Sequence, residues 1–263
     1  MITAIEYYRP VGIGATSPQL FRADDGLIYI VKLKNNRLGP KVLANELLGS
    51  RLGQMMGLCF PPAGIIEIEE TLVKRSRRLA AARVSPGKHF ACQYLSNSSY
   101  LCESNLHKAV NKAEMAGVML FDHMLHNADR TMNRRNLLLR REEGGHKIYA
   151  IDNSHLFRGA LWTERRLNKL AERIRINERR SYGILLRRFL RPAHFSPYLA
   201  KVNELSDEVL QGLVEELPQE WLPQQEERVA LTRFLIKRRD LAEAIVNSLC
   251  GLIPYKHRST DID

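Results

Sequence analysis

The stretch Asn127–Ser154, NADRTMNRRNLLLRREEGGHKIYAIDNS, holds an acid, amides and a second acid at spacings that could converge. Gly144-Gly145 lies between two short apolar runs, LLLRR and KIYAI, which is the signature of a β-hairpin. A turn centred on the two glycines would pair Leu137 with Asp152 and Arg141 with Ile148. That register sets Asn136, at the hairpin mouth, beside Asp152, with Asp129 on a loop just before. An amide oxygen and a carboxylate are hard ligands suited to Mg²⁺, which keeps few protein ligands and takes up phosphate oxygens. An aspartate kept off the metal can orient a hydroxyl and accept its proton. The chemistry implied is phosphoryl transfer.

Such chemistry needs a cation on the phosphates and a partner for that cation. In LIYIVKLK, alternation puts Lys32 on the face of Ile28 and Ile30, among apolar residues. A lysine so placed needs a counter-charge. Glu46, in the middle of the next helical pattern, is the natural candidate; a purely structural ion pair is the competing reading. Upstream, RPVGIGATSPQ sets Gly12-Ile13-Gly14 between two strands, where backbone amides could cover phosphates.

The elements that must carry these residues follow from periodicity. ITAIEYY alternates as a strand, and QLFRADDGLIYIVKLK reads as two strands about Asp25-Gly26. KVLANELLGSRLGQMMGL switches to a helical period. AGIIEIEETLVK and KHFACQYL are expected to be further strands. A helix is expected from Asn105 to His126, and further helices over residues 203–217 and 226–249. The expected architecture is α+β: a β-rich lobe, residues 1–97, that binds nucleotide phosphates, and a mostly helical lobe, residues 98–263, that holds the catalytic loop and the metal-binding hairpin.

Taken together and in this order, YIVKLKNN, VLANELLGSRLGQMMGL, GKHFACQYL, NADRTMNRRNLLL and IDNS resemble the HipA-like kinases, a bacterial branch of the bilobal protein-kinase-like fold. The resemblance covers roughly residues 10 to 160. It implies ATP as donor, Mg²⁺ as metal, and a protein serine or threonine as the usual acceptor. By this resemblance Lys32 is the phosphate-contacting lysine, Glu46 its helix partner, Asp129 the catalytic acid and Asp152 a metal ligand. Gln93, Tyr94 and Leu95 would form the hinge whose backbone meets adenine. Kinases often place a metal-binding Asn five residues after the catalytic Asp; that position is Arg134 here, with Asn133 and Asn136 on either side. Asn136 is preferred because it directly precedes the strand. Asp152-Asn153-Ser154 stands where Asp-Phe-Gly is usual. The N-terminal region of longer relatives is expected to be missing, so their DNA-linked roles are not expected here.

Composition bounds the alternatives. The chain has 263 residues, 44% hydrophobic and 26% charged, and a formal net charge of +11. This favours an anionic partner. Residues 158–191 hold eleven basic side chains against three acidic ones, a surface suited to an acidic acceptor protein. No apolar run is long enough to span a bilayer, and MITAIEYYRP lacks the features of a signal peptide. With four scattered cysteines, a cytoplasmic location is expected. Three rival readings remain at this stage. His123, His126 and Asp129 at i, i+3, i+6 could bind Zn²⁺ in a metal-dependent hydrolase. A degenerate kinase fold could act as a scaffold. The charge could serve a nucleic-acid or protein-binding module, although no nucleic-acid motif is present. Transfer of AMP instead of phosphate also stays open.

Overall fold

The computed structural model describes residues 1–11 and 14–254. Strands β1 (Ile2–Pro10), β2 (Gln19–Ala23) and β3 (Ile28–Lys32) precede helix α1 (Lys41–Met55). Then come β4 (Ala63–Ile68), the short helices α2 (Glu70–Arg75) and α3 (Arg77–Ala81), and β5 (Gly87–Gln93). The first five strands close into a barrel in the order β1-β2-β3-β5-β4, with β1 and β4 parallel through Ile2↔Ile66 and Thr3↔Glu67. Along β3 the pleat divides the side chains. Tyr29 and Val31 fill the barrel with Phe21, Ile66 and Ala91, while Ile30 and Lys32 turn to a cleft outside it. Lys32 is therefore inward-facing, as the alternation predicts. AGIIEIEETLVK is not one strand: it ends at Ile68, and the following residues form α2.

A second sheet, in the order β6-β7-β8, follows from β6 (Ser98–Tyr100), β7 (Leu137–Glu142) and β8 (Gly145–Ala150). Between β6 and β7 lie α4 (Glu103–Leu106), α5 (Met115–Met124) and the one-turn α6 (Asp129–Met132). The single helix expected over residues 105–126 does not form. Asn111 bonds both backbone groups of Ile148, accepting at 2.8 Å and donating at 3.1 Å, which draws residues 109–111 along β8. A side chain that satisfies a strand backbone in this way competes with helix. Only the apolar run from Met115 winds fully, buried along its whole length.

The hairpin exists, but in a different register. Leu137 pairs with Ala150 and Glu142 with Gly145, so the two-residue turn is Glu143-Gly144. Gly144 (φ 86°) supplies the positive φ within the turn, and Gly145 (φ 139°) carries it into the first residue of β8. The strand alternation buries Leu137, Leu139, Ile148 and Ala150 together, and a register with Leu137 opposite Asp152 would lose that match. Asn136 stands opposite Ile151 instead, whose amide donates to the Asn136 carbonyl at 3.0 Å.

The rest is helical: α7 (Glu164–Ala171), α8 (Ser181–Arg188), α9 (Ser196–Asn203), α10 (Asp207–Glu215), α11 (Gln225–Asp240) and α12 (Ala242–Cys250). The helix expected over 203–217 starts only at Asp207, capped by Ser206, and that over 226–249 breaks at Leu241. These helices share one apolar core with α1 and α5, centred on Trp162, Phe157, Phe234 and Trp221. No described helix is long and apolar enough to cross a membrane.

Candidate active site

A cleft of about 660 Å³ opens between the barrel strands β3 and β5 and the β7–β8 sheet. Lys32, Glu46, Gln93, Tyr94, Leu95, Asn133, Asn136 and Asp152 all line it, and so does Gly14. Gly12 lies outside the described residues. Gly14 has φ 130°, a conformation side chains rarely adopt.

Lys32 is the hub. Its Nζ contacts Glu46 Oε1 and lies 3.0 Å from Asp152 Oδ1. Burial pulls the ammonium towards neutrality, but Asp152 and Glu46 outweigh it and raise its pKa. Glu46 is pushed up to about 7 by burial, against the pull of Lys32. Burial acts upward on Asp152 too, yet Lys32 and the Ser154 hydroxyl hold it well below the usual carboxylate range. Asp152 has φ 68°, a left-handed backbone that Asp tolerates better than most residues. Its Oδ1 accepts the Ser154 amide at 3.1 Å, an Asx turn that fixes the carboxylate.

Helix α1 ties this loop to the barrel. Glu46 Oε2 accepts the Asn153 amide at 3.0 Å. Asn45 donates to the Ser154 carbonyl at 3.0 Å and accepts from the Trp162 indole at 2.9 Å. One turn on, Gly49 sits against Asn153: a Cβ there would meet the Asn153 side chain at 2.8 Å.

Asp129 lies on α6, after a turn at His126 (φ 54°). Its Oδ2 accepts from Asn136 Nδ2 at 2.7 Å, with His155 Nδ1 3.7 Å away, and its Oδ1 has no hydrogen bond among the described residues. The two asparagines separate cleanly. Asn133 is occupied locally, its side chain accepting the Arg135 amide at 3.1 Å as a cap. Asn136 is buried, orients Asp129, and keeps its own Oδ1 free of protein partners.

Several contributors have no individual motif. Arg130 is fully buried and pairs with Asp122 at 2.8 Å. It also reaches the Ile151 carbonyl and, at 2.7 Å, Asn153 Oδ1. This guanidinium welds the Asp129 turn to the Asp152 loop. Tyr182 completes the set by donating to Asp122. The signal was an aspartate inside the otherwise apolar run AGVMLFDHML, since a buried carboxylate demands a cation. His123 and His126 serve structure. His123 bonds the Met119 carbonyl at 2.6 Å and accepts the Asn177 amide at 3.0 Å, while His126 bonds the Leu170 carbonyl at 2.9 Å. The zinc reading therefore finds its imidazoles bound to backbone.

At the expected hinge, the Gln93 and Tyr94 amides are already given to Pro62 and Ile28 carbonyls, each at 2.8 Å. The Leu95 amide has no backbone hydrogen bond among the described residues.

Comparison with known proteins then decides the family. The sequence model of HipA-like kinases matches residues 4–245. The chain belongs to the HipA-like kinases. It is a kinase, and so a phosphotransferase. The fold agrees. A proinflammatory kinase of Helicobacter pylori, CtkA, matches with a TM-score of 0.56 at 12% identity, over 93% of this chain and 96% of that one. The hydra Fam20 structure with sugar matches at 0.51 and 13% identity, over 98% and 87% of the two chains. A Golgi casein kinase matches at 0.52 and 9% identity, over 99% and 74%. No curated protein matches the sequence.

Proposed function

We propose that this HipA-like kinase is a bilobal enzyme that binds ATP with Mg²⁺ in the cleft and transfers the γ-phosphoryl group to a serine or threonine of a protein. The observation that carries the reading is Lys32 held between Glu46 and Asp152 in a cleft that Asn136 also enters. In this reading residues 1–97 form the nucleotide-covering lobe and residues 98–263 the catalytic one. Ile30, Leu138 and Ile151 offer apolar surface to the base, and the Leu95 amide is its free hinge donor. Lys32 Nζ contacts the phosphates, and Glu46 keeps it extended.

The donor set fits Mg²⁺. Asp152 Oδ2 and Asn136 Oδ1 are hard oxygens with no hydrogen bond among the described residues, few enough to leave room for phosphate oxygens and water. Such an ion would neutralise charge on the transferred phosphate. Asp129 accepts the hydroxyl proton as the acceptor oxygen bonds to the γ-phosphorus and ADP leaves; Asn136 holds the carboxylate in place for this. The exposed basic side chains of residues 158–191 favour an acidic acceptor surface. Thiols such as Cys59, Cys92 and Cys102, in no described disulfide, fit a cytoplasmic site of action.

Labelled ATP with Mg²⁺, followed by phosphopeptide mapping, tests this in wild type, Lys32→Ala and Asp129→Asn. Mg-ATP should raise the Tm of wild type and of Asp129→Asn. Asp129→Asn should lose roughly 100-fold or more in transfer, since the amide cannot take the proton. Lys32→Ala should lose both. Absence of nucleotide stabilisation in wild type overturns ATP binding, and label confined to lipid or small molecules overturns the protein acceptor.

A further inference from the structure

A second cavity, of about 390 Å³, lies on the other side of the catalytic turn and shares no lining residue with the cleft. Asn127, Ala128, Thr131 and Met132 line it, on both sides of Asp129 in the chain, and Asn133 and Asn136, just beyond, line the cleft. The turn that bears Asp129 therefore borders this cavity.

Its electrostatics are one-sided. Arg158, Arg175 and Arg179 line it, all exposed. Among the described residues none of the three has a carboxylate partner, and Arg179 makes only a 3.9 Å contact from Nη1 to the Met132 sulfur. Arg187 and Arg188, outside the lining, are by contrast paired with Glu178 and Glu103. The one carboxylate in the lining, Asp122, is already committed to Arg130, Tyr182 and Asn127. Burial keeps His123 and His126 neutral. Three unpaired guanidinium forks around a concavity suit phosphate, which they bind in bidentate fashion.

Asn127, in the lining, is buried and donates from Nδ2 to Asp122 Oδ1 at 3.1 Å. In the protein-acceptor reading, the phosphate that reaches such guanidinium groups during turnover is one carried by the acceptor itself.

We propose that this cavity binds a phosphorylated side chain of the acceptor protein, so that the enzyme prefers hydroxyls near an existing phosphate. The proposal rests on the protein-acceptor reading above.

The probe is N-acetyl-O-phosphoserine N-methylamide, titrated by ³¹P NMR into the full-length, phosphatase-treated protein with Mg-ADP present. Arg175→Gln/Arg179→Gln is the variant, since both side chains are exposed and Arg179 gives up only its 3.9 Å contact to the Met132 sulfur. Wild type should bind the probe, and the variant should bind it on the order of tenfold more weakly for each guanidinium removed. In parallel, a peptide array places phosphoserine, Glu or Ala at each position around one acceptor serine. Wild type should phosphorylate the phosphoserine peptides fastest, and in the variant the rate on phosphoserine peptides should fall to the variant's own rate on Ala peptides. Transfer without preference, together with no probe binding, overturns the proposal and leaves the kinase reading intact. Probe binding without transfer to any peptide overturns the protein acceptor and, with it, the acceptor as source of the phosphate. Tighter binding of a short single-stranded oligonucleotide than of the probe overturns the peptide assignment.

Discussion

At the scale of single residues, Asn136 joins two functions that are usually discussed apart. Its Nδ2 donates to Asp129 at 2.7 Å, and the residue lines the cleft that Asp152 also lines. In the proposed mechanism, removing it frees the carboxylate that takes the proton and deletes a metal oxygen at once. Asn133, four residues after Asp129, merely caps the turn to Arg135. Asn136→Ala should therefore lower ATP turnover by orders of magnitude. Asn133→Ala should lose only a cap, worth about 1 kcal/mol of local stability. Comparing the two variants by turnover and by Tm decides the matter; a dead Asn133→Ala beside an active Asn136→Ala would overturn the assignment.

At the scale of elements, α1 is more than a carrier of Glu46. Asn45, Glu46 and Gly49 lie on one stripe of the helix and all meet residues 153–156. Gly49→Ala tests how tight that seam is. Helix propensity alone would favour alanine by about 1 kcal/mol. Against that, the new methyl would meet Asn153 at 2.8 Å, and Asn153 cannot retreat while Arg130 holds its Oδ1 at 2.7 Å. Overpacking of this kind costs about 1–3 kcal/mol, so the clash should win. Lower Tm and weaker Mg-nucleotide binding are expected together, and an increased Tm would show that the seam yields. The same contacts mark the limit of what periodicity reveals. The strands around Asp25-Gly26 and the helix α1 were legible because alternation about a turn signal gives way to apolar residues at three- and four-residue spacing. The residues Lys32, Glu46, Asp129, Asn136 and Asp152 were legible as types at spacings. The hairpin register was not, because Gly144-Gly145 allows two turns and only the buried pairing of Leu139 with Ile148 selects one. The Arg130–Asp122 weld was hidden as well. Its partners lie on three separate segments that only the packed chain brings together.

At the scale of the whole molecule, buried histidines make the fold acid-sensitive. His89 accepts the Lys34 amide at 2.9 Å on Nδ1 and faces the Ser85 carbonyl at 2.9 Å on Nε2, so both ring nitrogens are engaged in the neutral form. Burial lowers His89 to about 4, does the same for His126, and depresses His123 as well. In the unfolded chain each titrates near 6.5. The unfolded state therefore binds more protons between about pH 6.5 and 4, and stability present above 6.5 is lost as pH falls through that window. Each histidine contributes a slope of up to about 1.4 kcal/mol per pH unit. Glu46 works in the opposite sense. Held up to about 7, it binds a proton in the fold that it would not hold unfolded, so its share is complete below about 4.5 and fades as pH rises through 7. Asp152, depressed instead, matters only below the ordinary aspartate range, where its share is lost in turn. Three groups against one leave a net loss of stability on acidification. Two substitutions separate the contributions. His126→Gln can still donate to the Leu170 carbonyl and should flatten the slope by about one proton. Glu46→Gln removes the opposing group and should steepen it by a similar amount. Urea unfolding at pH 7, 5.5 and 4.5 measures all three slopes. Equal slopes for wild type and His126→Gln would mean that His126 is already charged in the fold.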